Sequence, residues 1–272
     1  MTSTDPIATP SARFRAEYGA HRAAEGRGYT REALFSLPYL EVGPLATQWA
    51  VRARTFEAFV KHVLLPASAR REGPLRIVDL GAGNCWLCYR TALAGHRSVA
   101  LDLRDDDVDG LGAADGYLAD ARGLFDRVAG SFSELPFQNE SFDIAVFNAS
   151  LHYALDLEGA LTEAARVLRR GGHIAILDSP FYAREGDGMA MVEEKHRNGE
   201  RSFGSRAGSL LSLPFIEFLT PDRLAEASLP GRLTWQRHRV RYPLRYELRP
   251  FAARLRGARP PSRFDLWEST VP

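Results

Sequence analysis

The residues of this chain with the plainest chemical purpose are two glycines and two carboxylates, placed where short apolar runs end. In VDLGAGN, residues 78–84, Asp79 is followed by Gly81, Ala82 and Gly83. Glycine reaches positive φ without steric cost and has no Cβ to hold a ligand off the backbone. Nineteen residues after Gly83 comes Asp102, at the end of a second apolar run, SVALDL. An ionised carboxylate only accepts hydrogen bonds, so one placed there can take both hydroxyl protons of a ribose. Taken singly, Asp79 reads equally as a turn cap and the glycines as turn glycines. Jointly, at the ends of neighbouring strands, they indicate a ligand that contains adenosine. A dinucleotide needs a third glycine in G-x-G-x-x-G, and this chain has Trp86 there, which accommodates a pyrophosphate poorly. A ligand ending in an amino acid suits the turn better. Its carboxylate would accept N–H bonds from the turn, and its ammonium would reach carbonyls near Asp79.

Other reactive residues are sparse. Cys85 and Cys88 form a C-x-x-C with no second cysteine pair. Two thiolates do not make a zinc site, so packing as small apolar side chains is expected ahead of zinc or redox chemistry. The seven histidines show no H-x-x-x-H spacing, and no metal site is expected. His152, just after the run FDIAVFN, is the best-placed general base, with Tyr153 and Asp156 near enough in sequence to orient it; a histidine that packs or bonds a carbonyl is the alternative. Ten arginines between residues 232 and 263 accompany one acid, Glu247. Such a stripe can bind phosphates, but without interleaved stacking aromatics a solvated edge is the reading taken over nucleic acid.

The elements that must position these residues follow from periodicity. With 272 residues, 45% of them hydrophobic and 25% charged, the chain has ordinary soluble-globular composition. No window approaches 18 apolar residues, and the first residues form neither a secretory signal nor a span, so no membrane role and a cytoplasmic location are expected. Residues 1–12, rich in Thr, Ser and Pro, read as a disordered tail, and 13–72 as an N-terminal helical cap. In the cap, Leu45, Trp49, Arg52, Phe56, Phe59, Val60 and Val63 recur at helical spacing until Pro66, which is expected to stop the helix. From residue 73 to 272 short apolar runs at 75–80, 98–103, 127–130, 142–148 and 173–177 alternate with helical segments, the signature of a parallel sheet with helices on both faces. Residues 157–170 read as a helix capped by Asp156, with Arg169 and Arg170 at its C-terminal dipole and Gly171 as its left-handed stop. Residues 233–242 and 263–269 supply two further strands, and about 181–218 form an insertion on the substrate side.

Those motifs together resemble the class I S-adenosylmethionine-dependent methyltransferases of the small-molecule type, strongly over residues 75–180. VDLGAGN resembles the family's first motif and Asp102 its ribose-binding acid. SFSELPFQNESFDIAVFNASLHY followed by ALTEAARVLRRGGHIAIL resembles the run from the third to the fifth strand. The resemblance implies an α/β, Rossmann-like doubly wound fold, with a mostly parallel seven-stranded sheet. It implies S-adenosylmethionine as cofactor and S-adenosylhomocysteine as product. It also implies that Gly81 and Gly83 approach the methionine part, that Leu103 and Phe132 flank the adenine, and that Asn148 lies beneath the cofactor. Where many members carry an Asp before the residue matching Phe132, this chain has Ser131, a weaker acceptor for the adenine amino group. The implied activity is in-line methyl transfer to an unidentified small molecule; the alternative is a cofactor-binding module that transfers no methyl group. Aromatic residues outside the sheet, Tyr18, Tyr29, Phe35, Tyr39 and Trp49 with the insertion, would either hold that acceptor or pack the cap's own core.

Overall fold

The computed structural model describes residues 10–119 and 123–272. Seven strands form one sheet: β1 (Arg76–Leu80), β2 (Arg97–Asp102), β3 (Asp126–Ala129), β4 (Phe142–Asn148), β5 (Leu168–Leu177), β6 (Trp235–His238) and β7 (Leu266–Thr270). Their order is β3-β2-β1-β4-β5-β7-β6. The first five pair parallel, and β7 runs antiparallel between β5 and β6. Strand order therefore reverses between β1 and β4, and the crevice at their carboxyl ends is where an open α/β sheet binds ligands. Each of the seven expected strands is present, β6 as a short edge strand.

Alternation along the central strands divides the core in two. Ile77, Ile144, Val146, Ala175 and Leu177 face one side, and Val78, Leu80, Ala145, Phe147, Ile174 and Ile176 the other. The helices are α1 (Pro10–Ala24), α2 (Arg31–Ser36), α3 (Ala46–Phe59), α4 (Trp86–Leu93), α5 (Leu157–Val167), α6 (Glu185–Arg197) and α7 (Pro221–Ala227), with shorter turns between them. Trp49, Phe56 and Phe59 of α3 share the first core with Trp86, Leu87 and Cys88 of α4. The cap region is thus continuous with the sheet's own core. Cys85 and Cys88 are fully buried free thiols, as expected of packing residues.

Several boundaries differ from the sequence reading. Residues 1–9 of the expected tail lie outside the described residues, and residues 10–12 already belong to α1. Pro66 does not end the cap helix. A π-helical turn, Val60–Leu64, precedes it and the helix continues to Ala69, with the proline at the start of that last piece, directly after the turn that widens the hydrogen-bond register. Helix α5 ends at Val167. Gly171 has φ of 72° within the irregular start of β5 and is not the helix stop. Asp156 holds the N-cap position without a side-chain cap bond.

Arg169 leaves the helix dipole for Asp143, at 2.6 Å. Asp143 is 2% exposed in β4, binds Arg71 as well, and accepts the Arg76 amide at 2.6 Å. One carboxylate thereby ties β1, β4 and the chain entering β5. Of the arginine-rich stripe, Arg237 and Arg263 pair with Asp265, and Arg259 pairs with Glu194, acids that lie outside residues 232–263. Replacing Asp143 by Ala is expected to lower the urea-measured unfolding free energy by about 1.5–3 kcal/mol, the scale of bonds to a charged acceptor, with Asp143→Asn recovering part of it. A change under about 0.5 kcal/mol would show that these bonds contribute no more than a surface pair.

Candidate functional site

At the carboxyl ends of β1, β2 and β4 lies a cavity of about 210 Å3, walled by the sheet loops, by α1 and α3, and by the insertion. Its floor is the turn from β1 into α4. Gly81, Gly83 and Cys85 all have positive φ, 81°, 52° and 63°. A Cβ on Gly81 would lie 2.4 Å from Cβ of Ser150, so that position admits glycine alone. The amides of Gly81 and Ala82 both donate to the Leu101 carbonyl, at 2.8 and 3.0 Å. The Gly83 amide donates to Asp102 Oδ2 at 2.8 Å, and the Arg104 amide to Oδ1 at the same distance. Burial raises the Asp102 pKa, while those two N–H groups act against the rise. The carboxylate thus fastens the glycine turn to the end of β2 while lining the cavity.

Eight of the nine residues expected to bind the cofactor line this one cavity, Gly81, Ala82, Gly83, Asp102, Leu103, Ser131, Phe132 and Asn148, and Asp79 does not. Phe132 stands edge-on to Phe147, with ring centres 5.7 Å apart. The Ser131 hydroxyl is engaged by Ser133 Oγ at 2.6 Å and by the Ser133 amide at 3.2 Å. Asp79 lies beneath the turn, fully buried, and neither carboxylate oxygen has a hydrogen-bond partner. Burial, with Asp102 nearby, holds its pKa well above the usual carboxylate range. Asn148 Oδ1 is likewise buried and unpartnered. Unsatisfied buried acceptors are costly unless a donor arrives to meet them.

The expected carboxylate contacts of the turn are not available. With Gly81, Ala82 and Gly83 donating inside the protein, and the Cys85 amide donating to Ala82 O, these N–H groups are spent on the turn itself. His152 is also displaced from its expected place. It does not line the cavity; its Nδ1 lies 3.4 Å from Ser179 Oγ, and its ring tilts against Tyr153. Burial, with Arg22, Lys195 and Arg52 adding like charge, pushes its pKa down to about 3. A base that weak accepts protons poorly near neutral pH. Its loop turns the neighbouring residue inward instead: Tyr153 lines the cavity and its hydroxyl accepts from Tyr18 at 3.0 Å.

Sequence reasoning missed the cationic side of the wall. Arg22 and Arg27 lie 3.7 and 3.9 Å from Asp109, which also accepts from Asn84 at 3.1 Å. Tyr18 lies between the guanidinium groups of Arg22 and Arg104, 4.7 and 4.9 Å from its ring centre. Arg52 projects from α3 with its guanidinium 4.9 Å from the Trp49 ring. That residue carried a signal, a lone charge within the apolar stripe of the cap helix. Of the cap aromatics, Tyr18 lines the cavity. Trp49 donates to the Tyr29 hydroxyl and Phe35 packs on Tyr89 and Tyr117 within the core, while Tyr39 is exposed. The insertion contributes Leu213 and Phe215.

Residues 78–176 match the family model described as a methyltransferase domain. Among curated proteins, the chain is 32% identical over 110 residues to malonyl-[acyl-carrier protein] O-methyltransferase of Erwinia billingiae, covering 39% of each chain. It is 30% identical over 112 residues to a ubiquinone/menaquinone biosynthesis C-methyltransferase of Rhizobium leguminosarum, covering 40% of this chain and 43% of that one. The match thus spans about two fifths of the length of these relatives. Among solved structures, the 1,6-didemethyltoxoflavin-N1-methyltransferase of Burkholderia thailandensis, with bound 1,6-didemethyltoxoflavin and S-adenosylhomocysteine, superposes with a TM-score of 0.55 at 17% identity. That alignment covers 98% of this chain and 92% of the other, a likeness of fold.

The depressed His152 pKa makes a stability prediction. Between about pH 6.5 and pH 3 the unfolded chain takes up a proton at this histidine that the folded chain refuses. Its contribution is therefore fully present above pH 6.5 and is lost as the pH falls toward 3. In thermal melts from pH 7.5 to 5, His152→Gln should lose less stability than the parent chain; parallel curves would mean that the ring is solvated.

Proposed function

We propose that this chain, whose residues 78–176 match a methyltransferase domain, is a class I S-adenosylmethionine-dependent methyltransferase that transfers a methyl group from S-adenosylmethionine to a small-molecule acceptor. The observation that carries the reading is the pairing of a ribose-ready carboxylate with orphaned acceptors across one glycine turn. Asp102 lines the cavity, while the oxygens of Asp79 and Oδ1 of Asn148 lie buried and unmet. An adenosyl group bearing an amino acid supplies hydroxyls for the first and an ammonium for Asn148 Oδ1 at the cavity wall, with Asp79 beneath the turn adding negative charge below it, so the residues present fit the cofactor. The glycine turn itself offers no comparable complement to a pyrophosphate, because Trp86 packs into the core and the amides of Gly81, Ala82 and Gly83 are already used.

When bound, S-adenosylmethionine would supply an electrophilic methyl group on its sulfonium, open to in-line attack at the methyl carbon by a lone pair of the acceptor, with the thioether of S-adenosylhomocysteine as the leaving group. The chain's part is alignment and exclusion of water. Gly81 lets the ligand approach the backbone, Asp102 would hold the ribose, and Leu103 with Phe132 would flank the adenine. Ser131, already engaged by Ser133, would leave adenine specificity mainly to those apolar contacts. Tyr18, Tyr153 and Phe215 form the wall between α1, the loop after β4 and the insertion; Tyr153 meets the other two edge-on, with ring centres 5.7 and 5.5 Å away. That aromatic wall supports a fairly apolar small molecule as acceptor. The reading places no general base at His152, which bonds Ser179 outside the cavity.

The test is calorimetric and chemical. The wild-type chain should bind S-adenosylhomocysteine, and Asp102→Ala should weaken it by about 1.5–3 kcal/mol while the thermal melt stays cooperative. Incubation with S-adenosylmethionine and a small-molecule extract should yield S-adenosylhomocysteine. Binding without turnover across broad extracts would leave a cofactor-binding module, and unchanged affinity in Asp102→Ala would remove the ribose assignment.

A further inference from the structure

The glycine turn leaves a charged group of the ligand without donors. Its amides at Gly81, Ala82 and Gly83 donate to Leu101 O and Asp102 Oδ2, and the Trp86 amide at the start of α4 faces Asn84 Oδ1. A carboxylate entering the cavity therefore finds no backbone cradle at these positions. The cationic donors that line the cavity are guanidinium groups, those of Arg22, Arg27 and Arg52 from the cap and that of Arg104 from the loop after β2.

Among these, Arg52 stands apart. Arg22 and Arg27 share Asp109 and Glu25, and Arg104 pairs with Asp106. Among the described residues Arg52 has no carboxylate within 4.0 Å, although it lines the cavity. Trp49, one turn earlier on α3 and 1% exposed, fixes its direction through ring contact. The opposite charge felt at Arg52 is that of Asp178 at the end of β5, while Arg27 and Arg22 repel it, and burial lowers its pKa. Both Asp178 oxygens are buried and outside hydrogen-bond geometry, so Asp178 offsets the charge without occupying the fork. A guanidinium held in a partly dry cavity with its planar donors free is matched by a carboxylate, which takes two parallel N–H bonds.

We propose that Arg52 is a carboxylate-binding residue of the cavity, the cap's contribution to ligand recognition. This rests on the methyltransferase reading, under which two carboxylates are available: the amino-acid end of the cofactor and an acidic group on the acceptor. In either case the cap helix contributes to binding through one directed charge as well as through apolar walls, and a lysine, which lacks the planar fork, is an incomplete substitute.

The experiment uses the full chain and its Arg52→Gln and Arg52→Lys variants, with cooperative thermal melts as the check on folding. Calorimetry compares S-adenosylhomocysteine with 5′-methylthioadenosine, which keeps the nucleoside thioether and lacks the amino acid. Benzoate and benzamide are then titrated into the chain saturated with S-adenosylhomocysteine. If the cofactor's carboxylate is held, Arg52→Gln loses tenfold or more in affinity for S-adenosylhomocysteine and none for 5′-methylthioadenosine, with Arg52→Lys between. If the acceptor's is held, both nucleosides bind as before and the preference for benzoate over benzamide disappears. The proposal is overturned if both ratios match the wild type, or if both nucleosides weaken equally. A wild-type chain that binds neither nucleoside would remove the methyltransferase reading instead, and the benzoate arm on the unliganded chain would then decide the role of Arg52 alone. If Arg52→Gln does not fold, the same ratios in Arg52→Lys decide it.

Discussion

The hydrogen bond from the Gly83 amide to Asp102 is the constraint on which the rest of the site depends. β1 must turn sharply at its end to launch α4, and three residues at positive φ make that turn. Such a backbone needs its N–H groups satisfied from outside the helix, and β2 supplies both partners, the Leu101 carbonyl and the Asp102 carboxylate. Register follows from this: Asp79 stands opposite Ala100 and Leu80 opposite Leu101, so the turn and the acid emerge side by side. The same bonds that shape the floor of the cavity also withdraw its amides from ligand binding. Charge recognition is thereby moved to side chains.

Those side chains come from the cap, and the cap is placed by the core. α3 packs against β5 and β7, with Trp49, Phe56 and Phe59 in the core, and this packing carries Arg52 toward Asp178 at the end of β5. Burying a guanidinium there is tolerated because Asp178 lies near and the Trp49 ring covers one face. At the other end of the wall, the Tyr18 hydroxyl bonded to Tyr153 joins α1 to the loop after β4. The cavity is enclosed by elements whose main packing lies elsewhere, a common way to hold a ligand site rigid.

How much of this was legible in the sequence depends on how local the cause was. The strands announce themselves as short apolar runs, and the residues at their carboxyl ends, from Gly81 through Asp102 to Asn148, reach the cavity because topology puts strand ends there. Features set by tertiary context were not legible. Gly171 looks like a helix stop, but Asp143 draws Arg169 into the sheet and ends α5 earlier. Pro66 looks like a terminator, but a π turn shifts the hydrogen-bond register before it. His152 has the type and position of a base, and which way its loop faces depends on the insertion, whose Glu217 amide holds the His152 carbonyl at 2.9 Å. The arginines of the wall were hidden for a different reason: Arg22 and Arg27 meet Asp109, far along the chain, only in the folded protein, and only Arg52 betrayed itself, by sitting among apolar neighbours.

The most direct measurement is a crystal structure of the full chain with S-adenosylhomocysteine. The account predicts the ribose hydroxyls within hydrogen-bond distance of Asp102, the adenine between Leu103 and Phe132, and the ammonium within reach of the acceptors near Asp79 and Asn148. A nucleoside bound elsewhere, or bound here with its ribose away from Asp102, would contradict it.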